Sequence, residues 1–429
     1  MNELVISEMK RVLELQKKKH IEEGPPSLEL RKDRLDRSIS MVKKYQDEII
    51  SALQDDFGNR DPVMSSATEV MSSIGPLENA KKNLAKWMKP EKRKLGGPMP
   101  GAGLLLSALG AKAKIEYQPK GTVGCISPWN FPVNLVMAPL GGILAAGNRV
   151  MIKPSEISSS TSDVIKTMFE EYFDEAEIAV FVGDPEVGAA FSSLPFDHLI
   201  FTGGTSIAKH VMKSASDNLV PLTLELGGKS PVIVGDDVEI SDVAQRVMQG
   251  KTMNAGQICL APDYALVPKE KVDDFVKESI NSVTSMYPEM KDNDDYTSII
   301  NQNHFERIQS YLDDAKSKGA ELVEINPNNE DFSQQPHHKI PPTLVLNPTE
   351  DMKIMQEEIF GPVLPVKPYE DLSETVEYVN SKERPLGLYY FGKDKKDQQY
   401  VLSNTTSGGV TVNDVISHIT QEDLPFGGV

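Results

Sequence analysis

After residue 117, short apolar segments alternate with longer amphipathic ones, and this alternation limits the chain to very few folds. Residues 122–127 have the composition of a buried strand, and residues 161–173 have the periodicity of a helix. Strands joined by helices of this length form right-handed crossovers, and therefore a parallel sheet with helices on both faces. The alternation begins again after residue 231. The sequence thus predicts an α/β fold with two such domains, preceded by about a hundred mostly helical residues.

Charge and cysteine content exclude several kinds of protein. The formal net charge is −18 and the pI is near 4.9, which disfavours nucleic-acid binding. The one basic run, residues 89–94, is interpreted as a solvated surface. Two cysteines without a Cys/His cluster favour a reducing compartment and no metal. No secretory signal is recognised, and the apolar segment at 103–111 is too short to span a membrane, so we expect a cytoplasmic protein.

Cys259 is the candidate nucleophile, since it follows the small, flexible residues Asn254, Ala255 and Gly256. A thiolate attacks carbonyl carbon well, and glycine allows a substrate and a cofactor ring to approach closely. The alternative is a buried structural cysteine, which is the usual state of a free thiol. Cys125, inside a predicted strand, is interpreted as buried and inert.

Three further segments contain candidate partners for that thiol. Asn130 lies between two prolines and is a candidate oxyanion donor, or else an Asx turn or helix cap. Glu225 lies between two leucines before a Gly-Gly pair; it is either a buried general base or an exposed strand residue. Glu358 is a candidate for a ribose hydroxyl pair and Phe360 for packing near a cofactor ring, unless both belong to ordinary helix termination before a Gly-Pro turn.

Seven segments follow one another along the chain: Pro-Trp-Asn-Phe-Pro at 128–132, Ile-Lys-Pro-Ser-Glu at 152–156, Phe-Thr-Gly-Gly-Thr at 201–205, Leu-Glu-Leu-Gly-Gly-Lys at 224–229, Gly-Gln-Ile-Cys at 256–259, Glu-Ile-Phe-Gly-Pro-Val at 358–363 and Leu-Pro-Phe-Gly-Gly-Val at 424–429. Together, in this order, they resemble the aldehyde dehydrogenase superfamily over nearly the whole chain. Details around Cys259 and the sequences at 407–410 and 413–415 resemble its class 3 and coniferyl-aldehyde dehydrogenase branch.

The resemblance implies a set of catalytic roles. Cys259 would attack the aldehyde, and the Asn130 amide with the Cys259 backbone N–H would hold the oxyanion. Hydride would then pass to the nicotinamide, and Glu225 would activate the water that hydrolyses the thioester.

The resemblance also implies a dinucleotide site. Lys153 and Glu156 would bind the adenosine ribose, and Glu156 should disfavour the 2′-phosphate of NADP, so NAD is the first choice and NADP remains possible. Capping of the following helix by Ser155 and Glu156 is a compatible interpretation. The other cofactor-binding residues that the resemblance implies are Trp129, Gly203, Gly204, Thr205, Glu358 and Phe360.

The family likeness also implies a domain organisation. The helical part of the cofactor-binding domain would span 1–107, an oligomerisation or bridging strand 108–123, the Rossmann-like NAD(P)-binding domain 124–223 and the catalytic domain 224–412. Residues 413–429 would begin a C-terminal segment that we expect to be truncated. The predicted protein is a homodimer that acts on a small aldehyde and has neither a nucleic-acid nor a membrane partner.

Several positions depart from the family pattern. Ala208 and Gly204 replace a glycine and a serine near the expected diphosphate, so we expect weaker, but not abolished, NAD binding. Ile258 replaces a common threonine beside the cysteine. Two alternatives therefore stay open, namely a semialdehyde or CoA-acylating dehydrogenase on the same fold and a catalytically silent cofactor-binding protein.

Overall fold

A computed structural model describes residues 2–97 and 99–428. Met1 of the predicted helical segment and Val429 of the predicted C-terminal segment lie outside the described residues. The first part of the chain is helical, as expected. Its helices are α1 (Asn2–Glu23), α2 (Leu28–Lys44), α3 (Gln46–Phe57), α4 (Pro62–Ser65), a π-helical turn (Ser66–Met71) and α5 (Ser72–Trp87).

Five parallel strands form the first large sheet, and helices cover both of its faces. The strand order is β5-β4-β3-β6-β7, which is typical of a dinucleotide-binding domain. In chain order the elements are β3 (Thr122–Ile126), α7 (Asn134–Ala145), β4 (Arg149–Lys153), α8 (Ser159–Tyr172), β5 (Ile178–Val180), α9 (Pro185–Ser192), β6 (His198–Thr202), α10 (Thr205–Ser216) and β7 (Leu222–Glu225).

The N-terminal helices belong to this sheet. Apolar residues of α1, including Met9 and Leu13, share one buried cluster with residues of α9 and α10. Residues of α2, α3 and α5 share another buried cluster with α7, α8 and the inner strands. The predicted helical segment is therefore part of the first domain's core.

Seven strands form the second large sheet, in the order β10-β11-β12-β9-β8-β13-β14. Its elements are β8 (Pro231–Val234), α11 (Ile240–Thr252), β9 (Tyr264–Pro268), α12 (Val272–Met286), α13 (Gln302–Ser317), β10 (Glu321–Glu324), β11 (Thr343–Leu346), α14 (Lys353–Gln356), β12 (Val363–Tyr369), α15 (Leu372–Asn380), β13 (Gly387–Phe391), α16 (Lys395–Asn404) and β14 (Gly409–Val412). The predicted α/β class is confirmed. The prediction that the sheets are parallel is wrong at one edge of this sheet, where β10 runs antiparallel to β11.

A separate two-stranded antiparallel ribbon joins β1 (Glu91–Arg93) to β2 (Ala113–Ile115), with the short helix α6 (Ala102–Ala108) between them. The ribbon begins before the segment 108–123 that the sequence assigned to a bridging strand. No helix within the described residues is long and apolar enough to cross a bilayer.

Candidate active site

The loop that presents Cys259 has an unusual backbone. It follows α11 through a tight turn (Met253–Gly256) in which Asn254 and Ala255 both have φ of 50°. Such left-handed values are costly for residues with a Cβ and persist only where the surroundings impose them. Gly256 also has positive φ, and a Cβ there would lie 2.3 Å from the Gly361 carbonyl oxygen. The glycine is therefore required for the close approach of two loops.

Gln257, which is buried, fixes this loop in place. Its side-chain amide donates to the carbonyl oxygens of Asn254 and Ser298, each at 3.0 Å. Its side-chain oxygen accepts from the Ile300 N–H, also at 3.0 Å. The loop is thus tied to a neighbouring segment two residues before the cysteine, which restricts the position of the thiol.

Cys259 itself is a free thiol that is only partly buried, whereas the alternative interpretation expected a buried cysteine. Burial, followed by the negative charges of Glu358 and Glu225, raises the pKa of this thiol to about 12. The backbone N–H groups of Cys259 and Leu260 act in the opposite direction, since they donate to the sulfur. The thiol therefore holds its proton at neutral pH until a base removes it.

Cys125 differs in accessibility rather than in pKa. Burial alone raises the pKa of its thiol to about 12 as well. Its side chain is only 2 % exposed in β3, as the sequence predicted, and no charged group contributes to its shift. We therefore expect reagents to reach Cys259 before Cys125.

Asn130 lies against the cysteine loop, in the turn that follows β3. Its Nδ2 donates to the Gln257 carbonyl oxygen at 3.1 Å, and Asn254 Nδ2 donates to the same oxygen at 3.2 Å. Asn130 caps no helix, because α7 is preceded by Val133 and has no side-chain cap. The helix-cap alternative is therefore wrong. The Asn130 amide instead contacts Gln257, which precedes the candidate nucleophile by two residues.

A buried ion pair between Arg60 and Glu69 contacts the turn that contains Asn130. Arg60 Nη1 donates to the Asn130 carbonyl oxygen at 3.0 Å, and Arg60 Nη2 contacts Glu69 Oε1 at 2.9 Å. Glu69 Oε2 accepts from the N–H groups of Val133 and Asn134 at 3.0 and 2.9 Å. Glu69 belongs to the π-helical turn, a feature that often occurs at functional sites.

Glu225 ends β7 and is half-buried, so it is not simply an exposed strand residue. Burial raises the pKa of its carboxyl to about 7, while a hydrogen bond from the Gly428 N–H partly opposes that shift. Its Oε1 is buried and has no hydrogen-bond partner in the described part of the chain. A half-buried carboxyl that titrates near neutrality is suited to general-base chemistry.

Glu358 is a second carboxyl at the same thiol. Its oxygens lie so close to Gly227 that a Cβ there would be 2.2 Å from Oε1. The Gly228 N–H donates to the carboxyl group. The Gly-Gly pair is therefore needed for this approach. Burial is the main cause that raises the pKa of Glu358 to about 7. Its Oε1 also has no hydrogen-bond partner among the residues described.

Lys229 and Asp263 hold the loop that contains Glu358. Lys229 Nζ forms an ion pair with Asp263 and donates to the Glu357 carbonyl oxygen at 2.9 Å. Asp263 Oδ2 accepts from the Ile359 N–H at 2.9 Å. Burial lowers the pKa of the neighbouring Lys251 to about 8, against the opposing effect of Asp263.

Phe360 and Trp129 belong to an aromatic cluster beside the loops of Asn130 and Glu358. Their ring centroids lie 5.4 Å apart in an edge-on arrangement, and His304 lies 4.8 Å from Trp129. Phe360 has a positive φ of 47°, and Arg307 donates to its carbonyl oxygen at 3.3 Å. Since α14 already ends at Gln356, helix termination does not account for Phe360.

His304 is the residue of this cluster that the sequence did not single out. Burial lowers the pKa of its imidazole to about 4, so the ring is neutral at physiological pH. It lies at the start of α13, far along the chain from Trp129. No local motif surrounds it, so only the three-dimensional arrangement shows its place.

Lys153 and Glu156 lie together at the carboxyl end of β4. The buried Lys153 Nζ donates to the Pro154 carbonyl oxygen at 2.8 Å and to Glu156 Oε2 at 3.2 Å. The N-terminus of α8 is capped by Asp56, which accepts from Ser160 and Thr161. The interpretation of Ser155 and Glu156 as the cap of that helix is therefore wrong, and Ser155 Oγ accepts instead from the Ile157 N–H before the helix begins.

Gly203 and Gly204 connect β6 to α10, and Thr205 begins that helix. β3 lies between β6 and β4 in the sheet. No side chain caps α10 at Gly204, so its first N–H groups remain available to an anion. Ala208 is buried in the apolar cluster that includes Phe201, so its methyl packs into the core. Two substitutions were expected to weaken cofactor binding. Of these two positions, only Gly204, which lacks the hydroxyl, is exposed to solvent.

The carboxyl ends of β4, β3 and β6 thus lie at one edge of the sheet, where the strand order reverses and open parallel sheets bind dinucleotides in a crevice. This fold and the candidate site are typical of a dinucleotide-dependent oxidoreductase. The model of the aldehyde dehydrogenase family matches residues 17–429. The chain belongs to that family, and it is an enzyme that oxidises an aldehyde with a nicotinamide cofactor.

Curated relatives cover nearly the whole chain. A probable coniferyl aldehyde dehydrogenase of Caulobacter vibrioides is 58 % identical over 98 % of this chain and 86 % of its own length. The coniferyl aldehyde dehydrogenase of Pseudomonas sp. strain HR199 is 51 % identical over 97 % of this chain and 84 % of its own. Aldehyde dehydrogenase family 3 member A2 of Macaca fascicularis is 36 % identical over 94 % and 79 %. The predicted branch is confirmed.

Solved structures show the same fold. Staphylococcus aureus AldH in a substrate-bound state superposes with a TM-score of 0.89 at 35 % identity, over 98 % of this chain and 88 % of that one. Betaine aldehyde dehydrogenase of S. aureus, in complex with NAD+, gives a TM-score of 0.85 at 27 % identity, over 98 % and 82 %.

Proposed function

We propose that the chain oxidises an aromatic aldehyde of the coniferyl type, or a medium-chain aldehyde, to the carboxylic acid, with Cys259 as nucleophile and NAD as preferred acceptor. The observation that carries this proposal is the arrangement at the thiol. A partly accessible cysteine lies beside two carboxyls that titrate near pH 7, at the end of a dinucleotide crevice. The two coniferyl-type relatives at 51 and 58 % identity support the substrate class.

The first step joins Cys259 Sγ to the aldehyde carbon. The thiol proton passes to a neighbouring carboxylate, and the carbonyl oxygen becomes an oxyanion. The side-chain N–H of Asn130 that is not bonded to Gln257, together with the Cys259 backbone N–H, is the donor pair for that oxygen. The rigid, hydrogen-bonded loop keeps both donors in place before the substrate arrives, which is the basis of electrostatic preorganisation.

The second step completes the oxidation. A nicotinamide cofactor, held through Glu358 and Glu156, would supply the acceptor for the hydride that the substrate carbon loses. A thioester remains on Cys259, and Glu225 removes a proton from the water that attacks it. Cleavage of the C–S bond releases the acid and restores the thiol, so aldehyde, water and oxidised cofactor become acid, reduced cofactor and a proton.

The crevice fits a dinucleotide. Glu358 Oε1 is buried without a partner among the described residues, and a ribose hydroxyl is a suitable donor for it. Glu156 is bound to Lys153 yet remains partly exposed at the other end of the crevice, where it can accept from the adenosine ribose. Its negative charge repels a 2′-phosphate, which favours NAD over NADP.

An absorbance assay of reduced cofactor tests the proposal. Coniferyl aldehyde, benzaldehyde and hexanal are supplied with NAD and, separately, with NADP. We expect turnover with the aromatic aldehydes, a preference for NAD and free acid as product even when coenzyme A is present. Folded protein that oxidises none of these aldehydes contradicts the proposed substrate class, and an acyl-CoA product contradicts the role of Glu225.

We propose further that the enzyme is cytoplasmic, since a chain with two cysteines and no Cys/His cluster suits a reducing compartment. We also propose that it is a homodimer, as the resemblance to this branch implies. Light scattering coupled to size exclusion measures the assembly directly. A single species of twice the 47.3 kDa chain mass is the expected result, and a monomer contradicts it.

A further inference from the structure

A cluster of buried arginines lies where the loop between α1 and α2 meets the amino end of β4. Arg31, Arg34 and Arg149 are 5, 3 and 5 % exposed. Arginine is rarely buried to this degree unless carboxylates or other acceptors compensate its charge. The partners of these three side chains therefore decide whether the cluster is already neutral.

Arg31 forms no ion pair with any of the residues described. Its Nε donates to the Pro26 carbonyl oxygen at 3.0 Å and its Nη1 to the Ala145 carbonyl oxygen at 2.8 Å. Ala145 is the last residue of α7, and a helix end supplies only about half a negative charge. Burial, followed by the positive charge of Arg34, lowers the pKa of Arg31. The charge of Arg31 is therefore only partly compensated.

The carboxylates beside the other two arginines are shared or partly exposed. Arg34 Nε donates to Glu177 Oε1 at 2.9 Å, but Glu177 Oε2 also accepts from Arg37 at 3.0 Å. Neither Nη group of Arg34 donates to a residue in the described part of the chain. Arg149 forms an ion pair with Glu23, whose side chain is 50 % exposed. The cluster therefore contains more positive than negative charge.

A cavity of about 190 Å³ opens beside these arginines. Arg34, Arg149 and His20 are among the residues that line it. Gly147 lines it as well, and a Cβ at Gly147 would lie 2.7 Å from Arg31 Cζ. The guanidinium group of Arg31 thus packs directly behind the wall that Gly147 forms. The cavity therefore borders all three arginines.

The cavity lies apart from the candidate cofactor site. Arg149 begins β4 and Lys153 ends it, and four residue steps along a strand span about 13 Å. The N-terminus of α2 does not account for the positive charge, because Ser27 Oγ already accepts from the Leu30 N–H at 3.2 Å. The positive charge comes from the arginines.

We propose that this cavity binds a phosphate group, either as inorganic phosphate or as part of a small phosphomonoester. A guanidinium group presents its N–H donors in a planar fork that matches phosphate oxygens. The free Nη groups of Arg34 supply such donors, and Arg31 and Arg149 supply further positive charge. A phosphomonoester carries about 1.5 to 2 negative charges near pH 7, whereas a carboxylate carries one. The inference does not rest on the proposed function.

Isothermal titration calorimetry with the full chain tests the proposal. Inorganic phosphate, glycerol 2-phosphate and acetate are titrated separately in the presence of saturating NAD, so that the candidate cofactor site is already occupied. We expect one phosphate group to bind per chain and acetate to bind at least about tenfold more weakly, because it carries less charge. The phosphate compound that binds more tightly identifies the source of the phosphate group.

Two variants alter the wall of the cavity and leave the buried arginines intact. Glu23→Gln removes the carboxylate that competes for Arg149 and should tighten phosphate binding about threefold. His20→Glu adds a negative charge and should weaken binding by at least about the same factor. Glu22→Gln and His210→Glu are the matched controls, since they make the same changes of charge outside the cavity. Neither control should change the affinity.

Circular dichroism verifies that each variant is folded. Folded, unaltered protein that binds no phosphate at millimolar concentration overturns the proposal. Binding that occurs only without NAD assigns the phosphate to the cofactor site and also overturns it. Acetate that binds as tightly as phosphate assigns the cavity to carboxylates, which contradicts the proposed ligand class. Equal effects of each variant and its matched control place the phosphate elsewhere on the chain and likewise overturn the proposal.

Discussion

Replacement of Arg60 by methionine should destabilise the enzyme strongly, although Arg60 lies outside the seven segments that carry the family resemblance. The Arg60 and Glu69 side chains are 1 and 0 % exposed, and their nearest charged atoms are 2.9 Å apart. Removal of one member of a buried ion pair leaves an uncompensated charge and typically costs about 3–5 kcal/mol. Arg60→Met retains most of the volume, so the loss is electrostatic rather than a cavity effect.

The companion variant Arg60→Met with Glu69→Gln separates charge from hydrogen bonding. A glutamine oxygen can still accept from the Val133 and Asn134 N–H groups, while no buried charge remains. We therefore expect the double variant to recover most of the stability that the single variant loses. Arg60→Met combined with Glu69→Leu should not show this recovery, because leucine supplies no acceptor to those two N–H groups.

Denaturant unfolding, followed by tryptophan fluorescence, measures these differences as shifts of the transition midpoint. Kinetics supply a second measurement, because Arg60 also donates to the Asn130 carbonyl oxygen. The folded double variant should show a lower kcat with little change in KM for NAD, since the support of the oxyanion donor is lost. An Arg60→Met enzyme within about 1 kcal/mol of the unaltered protein would refute the account of the buried pair.

Three further predictions concern the site itself. Glu225→Gln should slow acid release by about 10²- to 10⁴-fold and retain a burst of reduced cofactor, measured by stopped flow; the loss of rate below about pH 7 in the unaltered enzyme, where burial has raised the pKa of Glu225, should disappear. Cys259→Ser should abolish turnover. In the unaltered enzyme, mass spectrometry should find iodoacetamide on Cys259 well before it appears on Cys125. Glu156→Gln should raise kcat/KM with NADP by about fivefold, the value of about 1 kcal/mol for removal of a charge repulsion near the surface; an unchanged NADP/NAD ratio contradicts that role.

Much of the site was predictable because its residues follow strands. In a parallel sheet the carboxyl ends of the strands meet at one edge, so segments after β3, β4 and β6 had to lie close together. The cysteine loop was predictable from its small residues, since positive φ at Gly256 and a 2.3 Å approach to Gly361 exclude a side chain there. These features depend on local sequence and on the topology of the sheet.

The supporting charges were not predictable, because their effect depends on burial. Glu69 and Arg60 have the same appearance in the sequence as the solvated charges that surround them in the helical segment. His304 and Lys251 likewise acquire shifted pKa values only through enclosure by residues distant in the chain. The position of α6 had the opposite difficulty, since an apolar segment normally predicts burial and this one remains exposed.

Two carboxyls at one thiol raise the question of which accepts the proton from water. Glu225 and Glu358 each titrate near pH 7, and each raises the pKa of Cys259. Their pKa values therefore do not separate them, since the negative charge of Asp263 on Glu358 opposes the positive charges of Lys229 and Arg307. Their hydrogen-bond contacts differ, because the Gly228 N–H donates to Glu358 and the Gly428 N–H donates to Glu225. Since Glu358 is also the carboxyl suited to a ribose hydroxyl, we propose that Glu225 moves the proton and Glu358 orients the cofactor.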